Sequence, residues 1–389
     1  MKILIVGGTG LISTAVVNEA VARGMDVTCI NRGNNYGNRE NPNAKFIHFD
    51  IRDKEVAEKK LFGHKYDVVL DFICYNAIQV QYSLELFHDK CSQYVFISTD
   101  SVYKLQKDGH YDENTPQSNP EWEYSYQKAN CEEIVRSYCK KHDIVYTIVR
   151  PSITYGNTRI PYGLMPSYGY HYTLIERMKA GKPIVTWNNG QNYQTVMRVE
   201  DFAVGLVGLW GNPQAYNNDF GICGEAVTWN QILEAIEEKV GIKAIRVDLP
   251  VTRIIKELPS RKGEFVIDRA EDHIVSNRKL KEAVPSFKIK YNLKKGIAKT
   301  IDYYQSNNKR ILGIDYRFDG QMDRLLHSVP LKAKIGYVNY ESDKCLRHYF
   351  QYLLGRYENN VFIKFFLLNK SLFYRITALT RNYLRKHFS

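Results

Sequence analysis

Tyr124 and Lys128 stand four residues apart in Tyr124-Ser125-Tyr126-Gln127-Lys128. At that spacing two side chains share one face of a helix. An ammonium beside a phenol stabilises the phenolate, so the tyrosine can act as acid or base nearer neutral pH. The chain has 29 tyrosines, so this pair gains its weight from its position rather than its composition. Upstream, Ser98-Thr99-Asp100-Ser101-Val102-Tyr103 follows an apolar run and offers hydroxyls and a carboxyl to the same place. A third stretch lies at the N-terminus. Lys2-Ile3-Leu4-Ile5-Val6 runs into Gly7-Gly8-Thr9-Gly10-Leu11-Ile12-Ser13, after which Ile12, Val16 and Ala20 recur at helical spacing. Strand, glycine turn and helix in that order form a dinucleotide loop: the glycines admit a pyrophosphate, and the unpaired N–H groups of the helix start attract it. Gly7, Thr9, Gly10, Leu11 and Ile12 are its expected contacts, with Ser13 where a third glycine is usual.

These stretches need a scaffold that brings them together. Apolar runs at 26–30, 45–49, 67–73, 94–98 and 144–150 follow the first strand, and helical patterns fill the gaps, notably 76–88 and 124–141. Buried strands alternating with helices predict an α/β fold with a doubly wound parallel sheet of Rossmann type. Ligands of such sheets sit beyond the carboxyl ends of the strands. The residues just after each strand are therefore the place to seek chemistry: the glycine loop, Asn31-Arg32, Asp50, Ser98 to Ser101, and Arg150. An acid at the end of the second strand would bind the ribose 2′-hydroxyl of NAD, but this chain has Asn31 and Arg32. A guanidinium there can pair with a 2′-phosphate or stack on adenine, which leans the cofactor, NAD(P), toward NADP. Asp50, followed by Ile51, can accept from the adenine amino group or cap the next helix.

At 389 residues the chain can bury one large core or two lobes, and 44% hydrophobic content suits a soluble globular protein. No apolar run reaches membrane-spanning length. Seven dispersed cysteines fit a reducing cytoplasm and show no metal-like spacing. The net charge of +12 fits phosphorylated substrates, nucleic acid or a membrane surface.

The chain resembles the extended short-chain dehydrogenase/reductase family of nucleotide-sugar epimerases and dehydratases, in an atypical branch. The resemblance rests on Gly7-x-x-Gly10, Asp50-x-Arg52-Asp53, Ser98-Thr99-Asp100-Ser101-Val102-Tyr103, Tyr124-x-x-x-Lys128 and Arg150-Pro151-x-x-x-Tyr155-Gly156, all in family order over residues 1–329. It implies an NAD(P)-binding core over 1–157 with a returning segment near 195–223, and a smaller substrate lobe mostly over 158–329. By position it implies that Thr99 bonds the reacting sugar hydroxyl, that Tyr124 is the acid/base, and that Lys128 holds the nicotinamide ribose. Asp100 joins them as a candidate acid and Ser101 as a substrate contact. Arg261, in Arg261-Lys262-Gly263-Glu264, resembles an element whose arginine pairs with the substrate diphosphate; the other reading is a basic surface loop. Gln194 stands where some relatives carry another phosphate-binding arginine, and Arg198 where a histidine is more usual.

The substrate implied is a nucleoside-diphosphate sugar, and the reaction an epimerisation or reduction through hydride transfer at a carbinol or ketone. Dehydratases of the family resemble this chain at Thr99 and Asp100 but place a glutamate next, where this chain has Ser101. A serine hydroxyl is too weak a base for the carbon-bound proton that glutamate removes. The alternative of another class is a non-catalytic, RNA-binding or scaffold protein; the Thr99, Tyr124 and Lys128 set argues against it, and nucleic acid is not the expected partner. A homodimer is expected through 76–88 and 124–141. Residues 330–389 form an appended basic extension, carrying six lysines and five arginines against Glu341, Asp343 and Glu358. Across 361–386, Phe365, Leu368, Leu372, Ile376, Leu379 and Tyr383 recur at helical spacing, with Lys370, Arg381 and Arg385 opposite. Such a helix packs on a core or a partner, or lies on an anionic membrane.

Overall fold

The computed structural model describes residues 1–33, 39–166, 169–306, 313–327, 337–338, 345–362 and 365. Seven parallel strands make the central sheet. In chain order its first half is β1 (Lys2–Val6), α1 (Leu11–Ala22), β2 (Asp26–Asn31), β3 (Lys45–His48), α2 (Lys54–Leu61), β4 (Tyr66–Asp71), α3 (Ala77–Phe87) and β5 (Cys91–Ile97). After a short strand β6 (His110–Tyr111) come α4 (Glu123–Lys141), β7 (Val145–Pro151) and β8 (Ile153–Tyr155). Then follow α5 (Thr173–Lys179), β9 (Ile184–Thr186), β10 (Tyr193–Arg198), α6 (Val199–Gly208) and β11 (Asn218–Ile222). The sheet order is β11-β7-β5-β4-β1-β2-β3. Its central strand β1 buries Ile3, Leu4, Ile5 and Val6 completely, as a strand covered on both faces must. The order reverses at β1, so a crevice opens between the loops that leave β1 and β4.

Local chemistry sets the element ends. Gly7 takes φ +88°, and a Cβ there would stand 2.9 Å from Ile73 Cγ2. Ser13 does more than keep the helix close to the strand: its Oγ donates to Gly7 O at 2.6 Å and accepts from Gly10 N at 2.8 Å, bracing the turn from inside. Asp53, not Asp50, caps α2 by accepting from Val56 N; Asp50 turns back on Arg52 N instead. Asn76 caps α3 through Gln79 N.

A second core is built on Trp187, Trp229, Ile232, Ile297 and their neighbours. In the C-terminal extension, the helix Leu346–Arg356 packs along the helix Tyr316–Leu325. Gly320 lets the two backbones meet, since a Cβ there would collide with the carbonyl of Tyr352. Beneath them lies a buried ion network. Arg177 and Lys182 face Asp319 and Asp323, with both Lys182 contacts at 2.7 Å, and Tyr352 donates to Asp323 at 2.9 Å. The helix Leu346–Arg356 of the extension is thus part of the packed body. Of the apolar stripe expected across 361–386, only residues 361, 362 and 365 are described, and all three are exposed. The rest of that stripe lies outside the described residues. Among the described residues no helix is long and apolar enough to cross a membrane.

Candidate active site

One continuous cleft of about 1060 Å³ runs across the carboxyl ends of the strands and into the second lobe. A pocket for one small ligand holds roughly 300–1,000 Å³, so this cleft has room for a dinucleotide and a second molecule. Gly7, Thr9, Gly10, Leu11, Ile12, Asn31, Arg32, Asp50, Ile51, Thr99, Asp100, Ser101, Tyr124, Lys128 and Arg261, all expected at the site, line it.

At the glycine-loop end the donor set fits a dinucleotide. The turn is bare of side chains at Gly7 and Gly10. Leu11 and Ile12 open α1, whose first amides have no acceptor within the helix. The Asn31 carboxamide is occupied, accepting from Gly33 N at 2.9 Å and donating to Glu40 at 3.0 Å. Arg32 is exposed and lines the cleft, and Arg39, which the sequence did not single out, lines it as well.

Thr99 starts a short turn, Asp100–Val102, directly after β5. Its Oγ1 lies 3.2 Å from Ser101 Oγ and 3.4 Å from Asp100 Oδ1. Asn119 and Ser125 fix this turn to the start of α4. Asn119 Nδ2 donates to Ser101 O and Tyr103 O at 2.9 and 2.8 Å, and Ser125 Oγ donates to Ser101 O at 2.7 Å. Neither was expected, because their partners are backbone carbonyls that no side-chain pattern reveals. The neighbouring Tyr124 is 41% exposed and lines the cleft. Enclosure pushes its phenol up to about 12, against a hydrogen bond with Thr99 and the charge of Arg159.

Lys128 is held by the backbone. Nζ is buried and donates to Cys74 O and Ile97 O, both at 2.8 Å. It lies 5.1 and 4.9 Å from the ring centroids of Tyr75 and Phe96. Backbone carbonyls of the loop after β4 and of the end of β5 take the ammonium, and burial lowers its pKa. An ammonium has three donors, so one is left for a ligand in the cleft.

The far end holds three arginines and two carboxylates. Arg261 is no surface loop residue: its guanidinium binds Glu264 at 2.9 and 3.0 Å and the carbonyls of Met165 and Gly163 at 2.8 and 3.3 Å. Arg269 bonds Asp268 at 2.9 Å and Glu264 at 3.3 Å. Arg159 lines the cleft and has no carboxylate partner among the described residues. Burial and the charge of Arg269 lower its pKa. Neither Arg159 nor Arg269 was singled out in the sequence, and only the proximity of Arg159 to Tyr155-Gly156 could have suggested it. One positive charge is thus left over, which suits an anionic ligand.

Three residues read from strand ends or family position lie elsewhere. Arg150 is wholly buried and pairs with Glu132 at 2.6 and 2.9 Å and Asp219 at 2.7 Å, because its side chain leaves β7 on the face covered by α4. Gln194 donates to the carbonyls of Asp268 and Glu271 and holds their loop. Arg198 donates to Gly296 O and Thr300 Oγ1, both at 2.8 Å, joining β10 to the helix Leu293–Ser306.

Residues 3–223 match the model of the NAD dependent epimerase/dehydratase family. The chain is 28% identical to the chloroplast stem-loop binding protein of 41 kDa b from Arabidopsis thaliana over 255 residues, which are 62% of this chain and 63% of that protein. It is 27% identical to the dTDP-glucose 4,6-dehydratase of Escherichia coli over 365 residues, covering 79% of this chain and 95% of that enzyme. Among solved structures, the UDP-glucose 4-epimerase of Thermotoga maritima with UDP-glucose superposes with a TM-score of 0.64 at 22% identity. The match covers 78% of this chain and 99% of that one, and it shows the shared fold.

Proposed function

The chain belongs to the NAD dependent epimerase/dehydratase family, and from that premise we propose that it transfers hydride at a carbinol or ketone of a nucleoside-diphosphate sugar, as an epimerase or a reductase. The observation that carries this reading is one cleft lined by the glycine loop, by Thr99, Tyr124 and Lys128, and by an end with one unneutralised arginine. A bound nicotinamide cofactor supplies the hydride donor and acceptor. Gly7, Thr9, Gly10, Leu11 and Ile12 hold its pyrophosphate, and the remaining N–H of Lys128 holds its ribose. Thr99 bonds the reacting sugar oxygen, and Tyr124 gives that oxygen a proton or takes one. With the phenol held near 12, Tyr124 rests in its acid form, ready to donate as a ketone is reduced. Ser101 lies within the cleft where elimination would need a base, which favours epimerisation or reduction over dehydration. The RNA-binding alternative has no use for this set.

The test is incubation of the purified protein with UDP- and dTDP-hexoses and hexuronates and both nicotinamide cofactors. Products are read by NMR and cofactor by its reduced-form absorbance. An epimer formed without net cofactor change marks an epimerase, and stoichiometric oxidation of the reduced cofactor marks a reductase. A 4-keto-6-deoxy product overturns the argument from Ser101, and no turnover with any of these substrates overturns the reading itself.

We further propose a preference for NADP, supported by Arg32 and Arg39 at the cleft end where β2 stops. A guanidinium–phosphate bond contributes roughly 1.5–3 kcal/mol, about 10- to 100-fold in affinity. Arg32→Ala should therefore weaken NADP by at least about 10-fold and leave NAD nearly unchanged. Calorimetric titration of both proteins with both cofactors checks it, and equal affinities throughout would remove the preference.

A further inference from the structure

Asp100 lines the cleft, but its carboxyl is addressed from two sides. Oδ1 lies 3.4 Å from Thr99 Oγ1, and Oδ2 lies 3.5 Å from Nε2 of His273. His273 is 2% exposed and does not line the cleft. Its backbone is clamped in register, donating to Tyr193 O at 2.8 Å and accepting from Thr195 N at 3.1 Å. Its ring stacks on Tyr111 from β6, centroids 4.2 Å apart and 23° from parallel. Neither ring nitrogen has a hydrogen-bond partner among the described residues. A buried imidazole left unbonded is costly, and the Asp100 carboxyl is the group beside Nε2. Catalytic hydrogen bonds are often this loose before substrate binds.

The protonation states follow from what surrounds the pair. Burial and the charge of Asp268 raise the Asp100 pKa well above the carboxylate range, against Arg269 and the Thr99 hydroxyl. Burial lowers the His273 pKa, with Asp268 opposing and Arg269 assisting. Asp268 and Arg269 pair with each other at 2.9 Å. The remaining titratable neighbours, the Cys223 thiol and the Tyr111 and Tyr124 phenols, are themselves held protonated by burial. Both shifts favour the uncharged forms, a carboxylic acid and a neutral imidazole. The ring has one N–H. Nδ1 has nothing to donate to, so the proton belongs on Nε2, where Oδ2 can accept it.

We propose that His273 is a positioning residue for Asp100: by donating from Nε2 to Oδ2 it places the carboxyl proton on Oδ1, so that Asp100 offers a hydrogen bond to the sugar beside Thr99. The proposal rests on the hydride-transfer reading of this cleft. An ionised Asp100 would repel a diphosphate substrate, whereas the neutral acid adds a donor where negative charge grows on the substrate oxygen. That contribution is lost as pH rises through the Asp100 pKa.

Infrared difference spectra of the resting protein test the pair without any substrate. Wild type minus Asp100→Asn should show a protonated carboxyl C=O stretch at pH 7. His273→Phe, which keeps the ring stack, should move that band to higher frequency, because the carbonyl oxygen loses its donor. His273→Gln, which restores an N–H donor, should return it. With any sugar nucleotide that turns over, His273→Phe should lower kcat by about 10-fold, the size of one hydrogen bond, with KM within 2-fold. Asp100→Asn should lower kcat, because an amide is a weaker donor than a carboxylic acid. It should also lose the fall in kcat with rising pH that Asp100 ionisation causes. A carboxylate band at pH 7, or a band that His273→Phe does not move, overturns the proposal. Failure of every substrate overturns the hydride-transfer reading and leaves the infrared result to decide the pair.

Discussion

Tyr124→Phe should lower kcat by at least about two orders of magnitude while cofactor affinity stays within a few-fold of wild type. General acid–base groups contribute roughly 10²- to 10⁴-fold, and a phenylalanine ring keeps the shape and removes only the transferable proton. Thr99, Lys128 and Arg159 do not replace it. Thr99 holds its hydroxyl against Ser101 and Asp100, and Lys128 is held at the carbonyls of Cys74 and Ile97. The Arg159 guanidinium does not give up a proton near neutral pH. Single-turnover hydride transfer, followed by nicotinamide absorbance, separates this loss from one in binding. Turnover within 10-fold of wild type would remove Tyr124 from its role. Lys128 lies one helical turn further along α4, so Lys128→Met should act differently, weakening cofactor binding as well as rate.

The largest stability effect is expected at Arg150, 22 residues beyond Lys128 and wholly buried. Arg150→Met should destabilise the fold by about 3–5 kcal/mol in urea titration, the usual consequence of removing one partner of a buried ion pair. The partner is Glu132, fully buried on α4, which also accepts from Arg136 at 2.8 Å and Gln117 at 2.9 Å. Burial alone would raise the Glu132 pKa, but the charges and bonds of Arg150 and Arg136 hold it below the usual range. A carboxyl lowered in the fold contributes stability that is complete above the ordinary glutamate range and fades as pH falls through the folded value. The Arg150→Met defect should therefore shrink in acid. Replacing both residues, Arg150→Met with Glu132→Met, should recover much of the loss, since a buried pair exchanged for apolar side chains is often neutral. If the double variant is no more stable than the single one, the pair is not the cause. Because α4 also carries Tyr124 and Lys128, this pair helps hold the catalytic helix against β7 and β11.

What the sequence determined by itself was local and periodic. The run from Lys2 to Ser13 specifies strand, turn and helix because apolar spacing, glycine conformational freedom and an orphaned helix start all act within a dozen residues. The places where strands end follow from the same patterns, and the sheet rule then puts the glycine loop, Arg32, Asp50 and Thr99 at one edge. All of them line the cleft. What tertiary structure alone decided is where long side chains end. Lys128 donates to carbonyls 31 and 54 residues away, which its spacing from Tyr124 does not announce. Arg150 was placed at the strand-end site and is drawn under α4 by Glu132. Arg269 and His273 reach the catalytic turn across more than 160 residues of chain, so no spacing in the sequence could announce them. A flexible cation or a buried imidazole settles on whichever acceptors topology brings within about 3 Å, and those acceptors are mostly backbone carbonyls and carboxylates on other elements. Periodicity fixes which face of an element is buried; only the packed fold fixes what that face meets.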